Sequence, residues 1–223
     1  VDSGMIKMFS DDRRIVVDSA IIRNGKFTLN GSMDLPEQRL FQITPGIWSF
    51  LAFVEPGRLK FTVDTTNAQH SGVMGHGGYA LIWAIDEEGS TLSDVYNKYM
   101  KETKLKYYTS MLSSLSASLD TSKNNDTKKN IAVKIDSIVN TAYNTQRFWI
   151  EKYISQHPSS PASAFLLADY YTQKRDLSLD YVQSMLAKLS GDAKRSVYYT
   201  QLAAAAHNME NRKKDATASD FSL

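Results

Sequence analysis

Ile22-Arg23-Asn24-Gly25-Lys26-Phe27 sets Asn-Gly between two apolar strand ends. A type I′ turn needs positive φ at both central residues, which Asn and Gly tolerate best, so this stretch predicts a β-hairpin. The flanks agree. Arg14 to Ile22 is rich in β-branched residues, Ile6-Lys7-Met8 alternates, and Phe27-Thr28-Leu29 alternates again on the far side of the turn. Arg39 to Thr44 is another short strand, closed by Pro45-Gly46. Ile47 to Val54 is an apolar run suited to a strand covered on both faces. In Glu55-Pro56-Gly57, Pro fixes φ at the first turn position and Gly supplies positive φ at the second. Leu59 to Asp64 then alternates strictly, giving one dry and one wet face. Six or so short strands with turns between them predict an antiparallel sandwich.

Asn67 to Gly78 is a Gly-rich junction, and after it the apolar period becomes helical. Leu92, Val95, Tyr99, Leu105, Tyr108, Leu112, Leu115 and Leu119 mark one face, with a cap at Thr91 or Ser90. Asp120 to Asp126 is a polar break. Ile131, Ile135, Ile138, Ala142, Trp149 and Tyr153 mark a second helix, ending near His157-Pro158. Ser160-Pro161 is a cap followed by an N1 proline, starting a helix to about Gln173. Ser178 to Leu189 is a fourth helix with Gly191 as its C′ residue, and Asp192 to about Arg212 a fifth. The expected fold is α+β: an antiparallel β-sandwich over 1–78, a bundle of about five helices over 79–212, and a linker over 213–223. No consistent repeat period is present.

The composition of this 223-residue chain, 42 % apolar and 22 % charged, is that of an ordinary globular protein long enough to bury a sizeable core. A net charge of +2 is too weak and too evenly spread to predict nucleic acid or anionic membrane as a partner. No apolar run is long enough to span a bilayer. The absence of cysteine excludes disulfides, thiolate metal sites and cysteine nucleophiles within the chain. Val1 opens without Met, basic n-region or apolar h-region, so a signal peptide is either absent or already removed. Asp220-Phe221-Ser222-Leu223 reads as the opening of a strand, the mark of a segment from a longer protein.

Each candidate for chemistry has a plainer reading. His70 and His76 share the Gly-rich junction, but no third metal ligand is at hand and a solvated loop is simpler. His157 sits at a helix end, where it meets the C-terminal dipole, and His207 has no partner in sequence. Gly72 to Gly78 lacks the Lys-Ser/Thr of a phosphate loop and reads as a connection. Asp86-Glu87-Glu88 suits the first turn of a helix better than acid/base work. Trp48, Phe50, Phe53, Tyr79 and Trp83 are candidates for a sugar platform, but strand aromatics are more often core. In Tyr107-Tyr108, Tyr170-Tyr171 and Tyr198-Tyr199, one ring of each pair is expected to pack and the other to sit at the rim. Lys101, Lys104 and Lys106, and Arg212-Lys213-Lys214, read as a solvated helix face and a charged linker. No catalytic, cofactor-binding or metal-ligating residue is assigned, and no cofactor is expected.

Asp18-Ser19-Ala20, followed by Asn24-Gly25-Lys26-Phe27-Thr28-Leu29-Asn30-Gly31, resembles a recurrent pattern of Asp-Ser, short strand, Gly-Lys-Phe and a closing Gly. The pattern is that of an uncharacterised domain preceding TlpA-like (AhpC/TSA, thioredoxin-fold) domains in exported proteins of Gram-negative gut bacteria. Glu55-Pro56-Gly57 with its following strand, Val73-Met74-Gly75, and Phe148 to Leu167 are similar to the same family. His157 stands where Asn is usual. Ala218-Ser219-Asp220-Phe221-Ser222-Leu223 resembles the Ala-Pro-Asp-Phe-Thr-Leu opening of the thioredoxin-like domain, with Ser219 in place of Pro. The family's usual first strand is shortened or missing.

The resemblance implies a parent thiol:disulfide oxidoreductase, periplasmic or anchored to the outer membrane, with Cys-x-x-Cys downstream of Leu223. A lowered-pKa thiolate does that chemistry, and this chain has no thiol. The expected role is therefore non-catalytic: docking a protein partner or substrate, pairing protomers as a homodimer, or positioning the chain's own thioredoxin-like domain. One rival expectation is an independent periplasmic module binding glycan or peptide. Another is a hydrolase with His70, His76 and Asp86 converging at the sandwich–bundle junction.

Overall fold

The computed structural model describes residues 1–10, 15–46, 48–71, 79–83, 85–174 and 176–219, without the side chains of Asn67, His70, Ser71, Tyr79 and residues 213–219. Arg14, Ile47, residues 72–78 with His76, and Asp220 to Leu223 thus lie outside the described residues. The protein is mixed α/β, with its strands in the N-terminal part and seven α-helices among the described residues. It divides into two compact units, Val1–Ser93 and Asp94–Leu223.

In the first unit, β1 (Ser3–Phe9), β2 (Val16–Arg23), β3 (Glu37–Thr44), β4 (Trp48–Val54), β6 (Gln69–Ser71) and β7 (Tyr79–Leu81) form one sheet in the order β2-β1-β3-β4-β7-β6. β5 (Lys60–Val63) and β8 (Ile85–Glu88) form a separate antiparallel pair. The sheet is antiparallel except for β4 against β7, which run parallel. A uniformly antiparallel arrangement was the expectation, and only the β4–β7 pair departs from it. β7 and β8 also lie beyond residue 78, where helical sequence was expected. Three- and four-residue strands are too short to show a period, so only their pairing reveals them.

The Asn24-Gly25 turn forms as its residue types dictate. Both φ angles are positive, 52° and 69°. Arg23 N–H donates to the Lys26 carbonyl at 2.9 Å, and Lys26 N–H donates back at 3.0 Å. The returning arm makes no further ladder, and the bridge Arg23↔Lys26 stands alone. Phe27 and Leu29 instead pack on the core, so burial rather than strand pairing holds that segment.

Register explains the core. Met8 opposes Phe41, and Phe41 opposes Phe50. Ile6, Ile22, Phe41, Ile43, Phe50, Ala52 and Ile82 are buried together, and Phe61, Val63 and Ile85 from the β5–β8 pair pack on them. β4 is buried on both faces, Phe50 and Ala52 on one and Ser49 and Phe53 on the other, as its continuous apolar run predicts. On β5, Phe61 and Val63 turn inward while Lys60 and Thr62 stay exposed.

The helices are α1 (Thr91–Glu102), α2 (Leu105–Thr121), α3 (Asn125–Gln156), α4 (Pro161–Gln173), α5 (Leu179–Lys188), α6 (Gly191–Arg195) and α7 (Val197–Ser219). Capping follows the sequence. Ser90, Asn124, Ser160 and Ser178 each accept a backbone N–H from the first turn, and Pro161 follows Ser160. Two expected helices are each split. Thr103 donates its hydroxyl to the Tyr99 carbonyl at 2.7 Å, and Lys104 takes a left-handed φ of 54°, which separates α1 from α2. Ser196 donates to the Ala193 carbonyl and accepts from Tyr199 N–H, ending α6 and capping α7. Neither break carries the Gly or Pro that marks one in sequence. Gly191 opens α6 rather than closing α5. Its φ is 47°, and a Cβ there would lie 3.0 Å from the Ser159 Cβ, so both conformation and space require glycine. The core of the second unit gathers Tyr99, Ile150, Ile154, Leu166, Leu167, Tyr170, Met185, Leu189 and Leu202, all nearly inaccessible.

Candidate functional site

The residues singled out in sequence are scattered. His157 caps α3 from an exposed position, its ring 4.6 Å from Tyr153. His207 is exposed, with its Nε2 3.1 Å from Asn211 Nδ2. Among the described residues no group of three or more His, Asp or Glu side chains converges as a metal site would. His76 and the His70 side chain lie outside the described residues, while Asp86 and Glu88 are exposed on β8. Phe50 is buried in the sheet core with Trp48 packed on it, Phe53 is buried on the opposite face, and Trp83 is 67 % exposed. The tyrosine pairs split as helical spacing requires: Tyr170 and Tyr198 are buried, Tyr108 is half-buried, and Tyr107 is exposed. Lys101, Lys104, Lys106 and Arg212 are exposed; the side chains of Lys213 and Lys214 lie outside the described residues.

Among the described residues, two buried polar clusters hold elements in place. At the end of β4, the buried Glu55 carboxylate accepts the Thr91 N–H and, at 2.7 Å, the Thr91 hydroxyl. Glu87 accepts the Phe53 N–H at 3.2 Å. Burial holds the Glu87 carboxyl above its ordinary value near 4.5; bonds from Ser93 and the Phe53 N–H oppose this, and Glu55 adds to it. A carboxyl raised on folding binds its proton more tightly in the native state. Its unfavourable ionisation is therefore absent at low pH, grows as pH rises above the unfolded value, and is complete above the folded value. Glu87→Gln keeps an acceptor for Phe53 and removes the charge. Its stability relative to the native chain should rise from pH 4 to pH 7 in urea titrations; a difference that does not vary with pH would contradict this.

In the helical unit, the Tyr99 hydroxyl donates to Gln146 Oε1 at 2.6 Å, with both residues inaccessible. Tyr99 also meets Trp149 edge-on, and the Trp149 indole donates to Glu102 at 2.7 Å. Burial raises the Asp169 carboxyl, a bond from Gln173 opposing it, and the same burial raises the Tyr96 and Tyr99 phenols. Trp149 stacks on Tyr153 at 5.3 Å along α3.

A surface without an internal role lies on α2 and α3. The two helices pack on each other, and their half-buried or buried side chains, Leu105, Tyr108, Leu112, Leu115 and Leu119 on α2 and Ile131, Ile135, Ile138 and Ala142 on α3, recur at alternating three- and four-residue spacing. No α2 side chain is buried. One side of the pair is an open apolar groove with Leu115, Ile138 and Met111 as its apolar lining, and Tyr107, Ser110, Ser114, Ser137 and Lys134 around them. Tyr107 is 58 % and Met111 37 % exposed; Phe148, farther along α3, is 72 % exposed. The alternation marks these apolar faces in the sequence. The groove was hidden because serines dominate its margin and read as a wet face.

A family model described as "Domain of unknown function (DUF4369)" matches residues 2–127, more than half of the chain. The chain belongs to the DUF4369 family. The matched stretch takes in all eight strands, α1, α2 and the first residues of α3. No curated protein and no solved structure matches the chain. No helix among the described residues is long and apolar enough to cross a membrane.

Proposed function

We propose that this DUF4369 chain is a non-catalytic accessory region that docks a protein, preceding a TlpA-like thioredoxin-fold domain in a periplasmic thiol:disulfide oxidoreductase. The observation that carries the docking role is the α2–α3 groove. It exposes Tyr107 and Met111 beside the half-buried Leu115 and Ile138, and presents a single charge, Lys134. Tyr and Met are among the side chains enriched in interface cores. The redox context comes from the sequence resemblance around Asp18 to Gly31 and Ala218 to Leu223. A chain without cysteine contributes recognition there and leaves electron transfer to the thiols of the partner domain.

The test uses the full-length protein and two substrates. Met111→Lys places a charge in the groove. It should lower kcat/KM for a protein disulfide by about tenfold, the loss of roughly 1.4 kcal/mol of binding. Turnover of a small-molecule disulfide should be unchanged. Equal loss on both substrates, or on neither, would overturn docking of a disulfide-bearing protein at the groove.

A further inference from the structure

We propose that the protein docked by the groove is a second copy of this chain, with α2 lying antiparallel to α2 of the other copy and the two α2–α3 pairs forming a four-helix bundle. This rests on the docking reading above and names its partner. The evidence is the pattern of the exposed stripe. Tyr107, Met111, Ser114 and Ser118 follow one another at four, three and four residues, which places them on one side of α2. That spacing reads the same in both directions about a point between Leu112 and Ser113. Size does not: the two large side chains occupy the first half and the two small ones the second.

A two-fold axis through that point sets Tyr107 over Ser118 of the second copy and Met111 over Ser114 of the second copy, and the reverse. Each large side chain meets a gap that its own sequence provides. An isologous interface requires this kind of self-complementarity. An unrelated partner would place no such constraint on the order of sizes along α2.

Area agrees, and the stripe itself carries no charge: Lys106 and Asp120, the only charged residues of α2, are turned away from it. The Ser118 hydroxyl already donates to the Ser114 carbonyl at 2.9 Å, so covering it leaves no donor unmet. α2 has 17 residues, about 25 Å of helix. A face two helices wide and about 25 Å long covers about 500 Å² on each copy, or about 1,000 Å² in total, the lower bound of specific interfaces.

The absence of cysteine makes the test clean. Sedimentation of the full chain should give twice the 25.1 kDa monomer mass at about 100 µM, and Met111→Lys should weaken the dimer at least about tenfold. On oxidation, a mixture of Met111→Cys and Ser114→Cys chains should form the mixed disulfide. Ser116→Cys, turned about 200° round the helix from Ser114, should not cross-link. A monomer at every concentration, or a dimer indifferent to Met111→Lys and cross-linked as readily through Ser116→Cys, would overturn the pairing. If the chain is monomeric while the two-substrate test above still separates protein from small-molecule disulfides, only the self-pairing falls. If both fail, the docking role falls with it.

Discussion

Phe41→Ala should destabilise the strand unit by about 3–5 kcal/mol, the range for truncating a core aromatic. Phe41 is 1 % exposed, on a strand flanked by β1 and β4. Its ring lies parallel to Phe50, with centroids 5.0 Å apart, and 5.7 Å from Phe61 on the β5–β8 pair. Removing it opens a void between the six-stranded sheet and that pair. Neither neighbour can close the void without breaking strand register. Phe41→Leu, which keeps most of the volume, should cost clearly less. Urea unfolding monitored by a strand-unit probe such as Trp48 measures both. A loss below about 1 kcal/mol for Phe41→Ala would mean that the two layers do not share the core described above.

The second large effect is expected at the Tyr99–Gln146 bond, in the helical unit. Tyr99→Phe leaves Gln146 Oε1 without its donor, and Gln146→Leu leaves the Tyr99 hydroxyl without its acceptor. Each single change should cost about 1–3 kcal/mol, because a buried polar group then keeps its desolvation penalty without the bond. The double variant should be less destabilised than the sum of the singles, since replacing both partners leaves nothing unsatisfied. Simple additivity in the cycle would show that the bond is not what joins α1 to α3 at this point. With Trp149 edge-on to Tyr99 and donating to Glu102, the same cluster also sets where α1 ends. The Thr103 hydroxyl takes the Tyr99 carbonyl one turn later.

Local chemistry and periodicity made several elements legible. Asn24-Gly25 specified its turn, because few other residues accept positive φ at two successive positions. The run of β4 announced burial on both faces, and Lys60 to Val63 announced one wet face. Ser160-Pro161 and Ser178 marked helix starts. Other features had no local signal. The α1–α2 break depends on Thr103 and a left-handed Lys104, neither a usual helix stop. β7 and β8 are too short for a period and exist through their partners. The groove has no local signal because Ser110, Ser114 and Ser137 look solvated one at a time, and only the pairing of α2 with α3 sets them beside Met111, Leu115 and Ile138.

The sequence by itself thus determined the order of strands before helices, the turn at Asn24-Gly25, the principal caps, and the absence of any thiol for redox work. Those follow from backbone preferences, residue period and composition, which act over a few residues. Tertiary structure alone decided that β4 and β7 run parallel, that β5 pairs with β8, that Glu55 and Glu87 anchor the strand end beside Thr91, and that α2 keeps an open face. Each depends on contacts between residues far apart in the chain, whose energies no local pattern encodes.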